Sequence, residues 1–441
     1  MAILIKVLQF FMALSILVII HEMGHFLAAK MFKVKVEKFY LFFDWGFKLF
    51  KFNYKGTEYG MGWLPLGGYV KIAGMVDESM DTEQLKKEPE PWEFRSKPAW
   101  QRFIIMFGGV FMNVVLAFII YIGLLFNYGE QYLPTSEVNK YGIYANELAR
   151  DFGLQNGDKI LSVEGKYVED FHRIPAEMIL ENAKTLEVER CGKTVVVNLP
   201  EDATARLINS QNMNFISFCI PFEIAGFSDN SVALKAGMQE KDIIIGINDI
   251  STPFYQNFME NIKDFRDSDI EITALRGTDT MHFAMHLPQE GVIGVYAKSL
   301  DQYFDLSTKE YTLIEAIPAG LNRTFSELSD YWKQLKLIVN PNTKAYESVG
   351  GFISIGKIFP EQFNWRSFWS LTAFLSIALA IMNILPIPAL DGGHILFLLY
   401  EIITRRKPSD KFMQIAEIVG LVLVLALLIF ANGNDIIRLF R

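Results

Sequence analysis

The chain of 441 residues is long enough for two or three domains; 51% of its residues are hydrophobic and only 21% are charged. With a mean hydropathy of +0.20, this composition excludes a fully soluble globular protein and predicts that part of the chain lies in lipid. A net charge of -8 argues against a nucleic-acid-binding protein. The two cysteines, Cys191 and Cys219, are too few for a disulfide framework or a cysteine-type zinc site.

Four apolar runs are each long enough to cross a bilayer as a helix, so the sequence predicts four transmembrane spans. The runs cover residues 3–29, 103–126, 368–403 and 412–431, and the third is interrupted at Pro386. The first run ends in polar residues that a discarded signal peptide would not need, so we expect it to be retained. We therefore expect a polytopic α-helical membrane protein. Its expected parts are a first span (1–32), a membrane-associated β region and loop (33–101), a second span (102–127), two small domains (128–205 and 206–298), an amphipathic helix with a connecting loop (299–365), a third span (366–404) and a fourth span (405–441).

The distribution of charge predicts the orientation of these spans. Lys and Arg are frequent in residues 30–102 and recur in the short segment from Arg405 to Lys411, so both segments belong on the cytoplasmic side. Acidic residues are in excess between Gly129 and Trp365. We expect this acidic block on the opposite face of the membrane, together with both termini.

The region from 33 to 101 has the pattern of strands rather than of a helix. Short aromatic and β-branched runs at 39–43, 47–52 and 69–72 are separated by glycines, which predicts a sheet that lies at the membrane or dips into it. The charged stretch from Asp77 to Pro91 is bounded by proline and is expected to be a solvated loop.

The acidic block contains an internal repeat. Gly153 to Gly165 aligns with Gly237 to Asp249 at an offset of 84 residues, and each copy is followed by a helical pattern and alternating strands. The repeated pattern resembles the PDZ family, whose members bind extended peptides at a sheet edge. The resemblance implies two tandem PDZ domains, although the second copy departs from the family pattern at Lys241 and Asp249. Whether the pair acts as a size filter or as a peptide receptor stays open.

The segment from Thr312 to Val339 is predicted to be an amphipathic helix. Its apolar residues recur at spacings of three or four: Leu313, Ile317, Leu321, Phe325, Leu328, Trp332, Leu335 and Ile338. Two interpretations remain: a helix that packs on the two small domains, or an interfacial helix on the outer leaflet that positions them.

The chemistry of the chain is concentrated in His21-Glu22-Met23-Gly24-His25, at the end of the first span. On a helix the two histidines face the same way and can share one metal ion, with Glu22 beside them. Ionisable side chains at the end of an apolar span are costly unless they are used or paired. The structural alternative is a pair of interfacial histidines that merely end a helix.

A third metal ligand is expected where the third span is broken. Pro386 and Pro388 interrupt the helix at membrane depth, and Asp391 follows directly, so a bound zinc ion would balance its carboxylate. His394 is the rival candidate. The remaining histidines are expected to be ordinary: His282 and His286 lie in a strand pattern, and His172 is isolated.

Two motifs together resemble one family. The HExxH motif in a first span, Asn383-x-x-Pro386-x-Pro388-x-Leu390-Asp391-Gly392-Gly393 in a later span, and PDZ-like modules between them resemble the site-2 protease family of intramembrane zinc metalloproteases, M50 type. Within that family, the chain looks like the bacterial regulator of sigma-E protease branch. Three further segments resemble family elements: 65–71 its membrane-reentrant β element, 108–113 its second-span motif and 351–355 the loop before its third span.

The resemblance implies the site and its chemistry. It implies one zinc ion held by His21, His25 and Asp391, Glu22 as the catalytic acid and base, and Asn383 near the reacting peptide. The residues implied to bind substrate are Gly67, Gly68, Tyr69, Val70, Asn383, Pro386 and Pro388.

The resemblance also implies the setting. The expected substrates are pre-trimmed single-span proteins, such as anti-sigma factors, and signal-peptide remnants. Their cleavage would be regulated intramembrane proteolysis in a stress response, in the bacterial inner membrane, with the PDZ domains in the periplasm and lipid as the surrounding partner. Two other hypotheses are a catalytically silent PDZ scaffold and a transporter, the latter without support from an inverted repeat of spans.

Overall fold

The structure, a computed structural model, describes residues 2–75, 88–210 and 215–439. Helices α1 to α13 are Ala2–Met31, Ala99–Tyr128, Thr135–Val138, Glu147–Asp151, Ile174–Leu180, Ala203–Ser210, Val232–Lys235, Tyr255–Asn261, Leu313–Val339, Phe352–Ile358, Trp365–Ile384, Asp391–Thr404 and Asp410–Leu439. Strands β1 to β15 are Val36–Tyr54, Thr57–Ile72, Glu130–Tyr132, Ile143–Ala145, Lys159–Val163, Thr185–Arg190, Lys193–Asn198, Ile216–Phe218, Phe222–Phe227, Ile243–Ile247, Ile250–Ser251, Ser268–Arg276, Asp279–Leu287, Val295–Ala297 and Ser307–Lys309. Most of the predicted charged loop, 77–91, lies outside the described residues.

The chain forms two compact units. The first contains the residues up to Gly129, Glu310–Val339 and the residues from Tyr346 onward. The second contains Glu130–Lys309 and Asn340–Ala345. The first unit therefore includes the four long apolar helices, and the second includes the part of the acidic block that contains the internal repeat.

In the first unit, four helices are long and apolar enough to cross a membrane: α1, α2, α11 and α13. They match the four predicted spans. The predicted break in the third segment is also present, because α11 ends at Ile384 and α12 is a separate helix of 14 residues. Pro386 and Pro388 lie between these helices, where their missing amides and fixed backbone prevent the helix from continuing.

Helices α1 and α2 cross with their backbones in contact. A Cβ added to Gly24 would lie 2.1 Å from the carbonyl oxygen of Gly108, and one added to Gly108 would lie 2.6 Å from that of Gly24. Small residues allow such close packing in lipid, where van der Waals contact rather than the hydrophobic effect holds helices together. The crossing places α2 directly against the helical turn that contains the HExxH motif.

Strands β1 and β2 form one long antiparallel hairpin. The prediction of strands is confirmed, but the strands are longer than the short runs in the sequence suggested. The glycines of the hairpin permit close approach and do not end the strands: a Cβ on Gly62 would lie 2.1 Å from the carbonyl oxygen of Phe43. Residues 38–41 pair with both 58–61 and 68–71, so the first half of β1 lies between two parts of β2. The exposed aromatic residues of this hairpin are Trp45, Phe47, Phe50, Phe52, Tyr54 and Trp63.

Helix α9 packs on α2 and α11 of the first unit. One of the two interpretations had placed it against the two small domains instead. Its buried face carries small residues, Ala316, Gly320 and Thr324, followed by Leu328, Tyr331 and Leu335 at its far end. Five residues of the predicted apolar stripe remain exposed: Leu313, Ile317, Leu321, Phe325 and Trp332. The apolar stripe is present, but small residues make the closest helix contacts, because close contact in lipid selects small residues whereas large apolar ones can face the lipid.

The second unit contains two hydrophobic cores, one for each copy of the repeat. The first copy has the sheet β5-β6-β7 and the second has β13-β12-β10-β9-β14, with β11 paired to β10. Each copy buries an aspartate, Asp158 or Asp242, whose carboxylate accepts two hydrogen bonds from Arg190 or Arg276. The two aspartates occupy the same position of the aligned repeat. The two copies therefore share this ion pair as well as their sequence pattern.

Both cysteines are free thiols in this unit. Cys191 is exposed and Cys219 is buried. Burial raises the pKa of the Cys219 thiol to about 12, so it stays protonated and inert at neutral pH.

Candidate metal centre

The two histidines of the HExxH motif lie one turn apart on α1 and are both buried. Their Nε2 atoms are 3.3 Å apart. Glu22, between them in sequence, is half-buried on the same helix. Because the helix repeats every 3.6 residues, His21 and His25 project together from one face.

Helix α2 fixes the orientation of both imidazole rings. Nδ1 of His25 lies 2.8 Å from the carbonyl oxygen of Ile105. A carbonyl only accepts, so Nδ1 carries the proton and Nε2 is left with a free lone pair. The side-chain amide of Asn113 faces Nδ1 of His21, with its Nδ2 at 3.1 Å. Asn113 is fully buried, so the outer ring nitrogen of each histidine has a partner from α2.

Asp391 is the first residue of α12 and completes the cluster. Its Oδ2 lies 3.2 Å from Nε2 of His21 and 3.3 Å from Nε2 of His25. This oxygen is buried, and among the described residues it accepts no hydrogen bond. When the amide oxygen of Asn113 faces Nδ1 of His21, that nitrogen carries the ring proton, and the three atoms that converge here are all acceptors. A cation is the group that balances them.

The distances fit a zinc ion. A tetrahedral zinc with ligand bonds of 2.0–2.1 Å places its ligand atoms about 3.3–3.4 Å apart. The three distances between the ligand atoms of His21, His25 and Asp391 are 3.3, 3.2 and 3.3 Å. Within the described part of the chain, this is the one group of three or more potential ligand residues found close enough to hold a metal ion.

The break between α11 and α12 brings further predicted residues to the centre. Asn383 is near the end of α11, with its Nδ2 3.3 Å from Nε2 of His21. Pro386 and Pro388 form the loop that leads to Asp391. A Cβ on Gly392 would lie 2.0 Å from the carbonyl oxygen of Leu385. The glycine therefore lets α12, whose first residue is Asp391, start against the end of α11.

The predicted substrate-binding strand runs beside α1. A Cβ on Gly68 would lie 2.6 Å from a methyl carbon of Val18, one turn before His21. Tyr69 stacks on Tyr40 with ring centroids 5.4 Å apart, and its hydroxyl donates to Asp44. Gly67 and Val70 flank these two residues in β2.

The other histidines lie elsewhere. Nε2 of His394 is 3.5 Å from Glu417 on α13, so this rival does not join the cluster. His282 and His286 are exposed on β13 and pair with Glu271 and Asp269. His172 is also exposed, with Nδ1 3.7 Å from Asp170.

The sequence analysis identified 108–113 as a family-like segment but assigned no role to three contributions that α2 makes to the centre. These are the carbonyl of Ile105, the amide of Asn113, and Gly109, where a Cβ would lie 2.4 Å from Nε2 of His25. Gly109 and Asn113 are four residues apart and so share one helix face. That spacing could have indicated a contact surface, because a glycine and an amide on one face of an apolar span predict close contact with a polar group of another helix.

Comparisons with known proteins agree with this geometry. A family model described as peptidase family M50 matches residues 9–427. A Campylobacter jejuni protein whose name includes the words zinc metalloprotease is 29% identical, covering 99% of this chain and 94% of that protein. A Haemophilus influenzae protein named regulator of sigma E protease is 27% identical, covering 98% of each chain. The Caulobacter vibrioides metalloprotease MmpA is 26% identical, covering 99% of this chain and 96% of that protein.

Proposed function

The chain belongs to peptidase family M50, and on that premise we propose that it is an intramembrane zinc endopeptidase that cuts peptide bonds within the spans of single-span membrane proteins. One observation carries the proposal. Three buried acceptor atoms of His21, His25 and Asp391 converge at the spacing of a zinc tetrahedron, on helices apolar enough to lie in a membrane. Three protein ligands leave the fourth position open, which is the arrangement of catalytic rather than structural zinc sites.

The proposed chemistry divides between the ion and Glu22. A zinc ion held there would supply Lewis-acid polarisation of the scissile carbonyl and would lower the pKa of water in the site. The carboxylate of Glu22 accepts the proton of the attacking water and passes it to the nitrogen of the leaving amine. Asn383, whose amide lies at the edge of the cluster, donates a hydrogen bond to the developing oxyanion or holds the substrate backbone.

The substrate must unwind before it can be cut, because a helical peptide bond is shielded by its own hydrogen bonds. In lipid, every backbone group that is freed needs a partner. The part of β2 that contains Gly67 to Val70 lies against α1 close to His21. Strand addition along this segment would provide those partners and would present one peptide bond to Glu22. Pro386 and Pro388 would line the opposite side of the extended substrate.

The proposed setting follows from the relatives and the charge pattern. One relative is named regulator of sigma E protease, which supports substrates of the anti-sigma-factor type, with signal-peptide remnants as a second group. The basic segments between spans support a multi-pass protein of the bacterial inner membrane with the acidic block in the periplasm. The repeated modules of that block support two tandem PDZ domains that meet pre-trimmed substrates in a stress response.

The test separates metal binding from catalysis. Purified Glu22→Gln should retain one zinc ion per chain. Its activity on a model single-span substrate should fall about 1,000-fold or more, which is the size of effect expected when a general base is removed. His21→Ala should lose both the zinc and the activity. If Glu22→Gln still cuts at a near wild-type rate, Glu22 is not the base. If the wild-type protein binds zinc but cuts no single-span substrate, the chain is instead a catalytically silent scaffold.

A further inference from the structure

The metal centre is assembled from three helices, and two of them must keep a fixed register. Helix α2 holds the outer ring nitrogens of both histidines through Ile105 and Asn113. Asp391 belongs to α12. A shift of α12 along α2 by even 1 Å would therefore move Asp391 away from both Nε2 atoms. The apolar contact between these helices, formed by Met106, Ile395 and Leu398, is not directional and does not by itself fix their relative position to within 1 Å.

One largely buried ion pair connects these two helices, near the start of α2 and the end of α12. Nη2 of Arg102 lies 2.5 Å from Oε1 of Glu401, and Nε of the same arginine donates to the carbonyl of Lys97 at 2.9 Å. Arg102 is only 9% exposed. It precedes Ile105 by one turn of α2. Glu401 follows Asp391 by ten residues, about 15 Å along α12 at 1.5 Å per residue.

Stability alone does not account for this pair. Removing two charges from water costs several kcal/mol per ion, and a buried ion pair is often replaced by apolar residues with no loss of stability. A cavity of about 170 Å³ also borders both residues and extends to Pro388, so tight packing does not fix the helices at this level. A directional contact between a guanidinium and a carboxylate does fix them.

We propose that Arg102 and Glu401 are positioning residues, which set the register of α12 on α2 and thereby the zinc affinity of the cluster 15 Å away. The inference rests on the proposed zinc site. The two residues touch neither substrate nor ligand atoms. They act through Asp391, because a rigid helix of 14 residues transmits any displacement at Glu401 to its first residue.

The deciding variant is Arg102→Met/Glu401→Leu, which replaces the pair by apolar side chains of similar size. It should fold with a wild-type melting temperature. Its zinc affinity, measured by competition with a chelator, should fall about 10- to 100-fold, as for the loss of a residue that orients a metal ligand. The control is Lys298→Met, which removes the ion pair with Glu223 in the second unit and should leave zinc affinity unchanged.

A second variant keeps the test decisive if the Arg102→Met/Glu401→Leu protein does not fold. Glu401→Asp keeps the charge but shortens the side chain by one methylene, so α12 must shift to keep the contact or lose it. Zinc affinity should fall several-fold while the melting temperature stays within a few degrees. Wild-type zinc affinity in either folded variant overturns the positioning role. A wild-type protein that binds no zinc at all would instead refute the proposed function, and the two failures are thus distinct.

Discussion

The side-chain amide of Asn113 lies 3.1 Å from Nδ1 of His21, across the contact between α2 and α1. The other amide atom, Oδ1, is buried without a hydrogen-bond partner among the described residues. With the amide turned by 180°, its oxygen accepts the Nδ1 proton, and Nε2 of His21 is left with a lone pair toward Asp391. The backbone carbonyl of Asn113 also accepts a hydrogen bond from Ser376 of α11 at 2.8 Å. Asn113 thus connects α1, α2 and α11 at the level of the metal centre.

Replacing Asn113 by Leu should therefore weaken zinc binding without removing a ligand. We expect a loss of about 10- to 100-fold in zinc affinity, measured by competition with a chelator. The matched control is Asn127→Leu on the same helix, since that exposed amide bonds only to its own turn. Equal zinc affinity in both variants would show that His21 does not need Asn113 to set its tautomer.

The identity of the third ligand is tested by two single substitutions. Asp391→Ala removes an oxygen that lies within 3.3 Å of both histidine nitrogens, so the purified protein should lose its zinc. His394→Ala removes a ring that pairs with Glu417 and should retain one zinc ion per chain. Metal content measured by mass spectrometry decides between them. The opposite pattern would assign the third ligand to His394.

Much of the site was readable from the sequence because its signals are local. The HExxH motif places two histidines on one helix face by periodicity alone, and two prolines predict that the helix ends before Asp391. The contributions of Asn113 and Gly109 depend on which face of α2 meets α1, and helix periodicity does not give that pairing. The same limit explains α9: its apolar stripe was readable, but its buried face was decided by small residues that approach α2 and α11.

The hairpin β1–β2 shows a second limit. Its glycines have the sequence signature of turns, and short strands were expected between them. In the structure they lie inside long strands, where Gly60 avoids the ring of Tyr40 and Gly62 avoids the backbone of Phe43. A glycine that permits close approach and a glycine that ends a strand look alike in sequence. Only the pairing of distant segments separates the two cases.

Gly109 offers a steric test of the centre. A Cβ at this position would lie 2.4 Å from Nε2 of His25 and 2.6 Å from Cε1 of His21, so Gly109→Ala should displace both rings and abolish zinc binding. Gly123→Ala on the same helix meets no atom within 4 Å and should bind zinc as the wild type does. The comparison controls for the change in helix propensity, which is similar at both positions. Full zinc occupancy in Gly109→Ala would mean that α2 does not press on the histidines.

The stability of the second module, which is the second copy of the repeat, should depend on pH through Asp242. Burial alone would raise the pKa of this carboxyl, but hydrogen bonds from Arg276 and from the backbone of Gln239 hold it below its ordinary value. A lowered folded-state pKa stabilises the module above the unfolded pKa of about 4, and that contribution is lost as the pH falls through the folded pKa. Arg276→Met leaves the buried carboxylate of Asp242 unpaired and should lower the stability of this domain at pH 7.

In Arg276→Met, the contribution of Asp242 to the pH dependence of stability should change sign. Without Arg276, burial dominates and the pKa of Asp242 rises, so a falling pH protonates the carboxyl and relieves the destabilisation. The stability gap between wild type and Arg276→Met should therefore narrow from pH 7 toward pH 4. Hydrogen exchange of β10 and β12, corrected for the intrinsic rate at each pH, measures this gap as a local unfolding free energy. The control Lys298→Met removes a more exposed ion pair of the same module and should cost less than about 1 kcal/mol with no such narrowing. An Arg276→Met variant as stable as this control would mean that the buried pair contributes no more than a surface one.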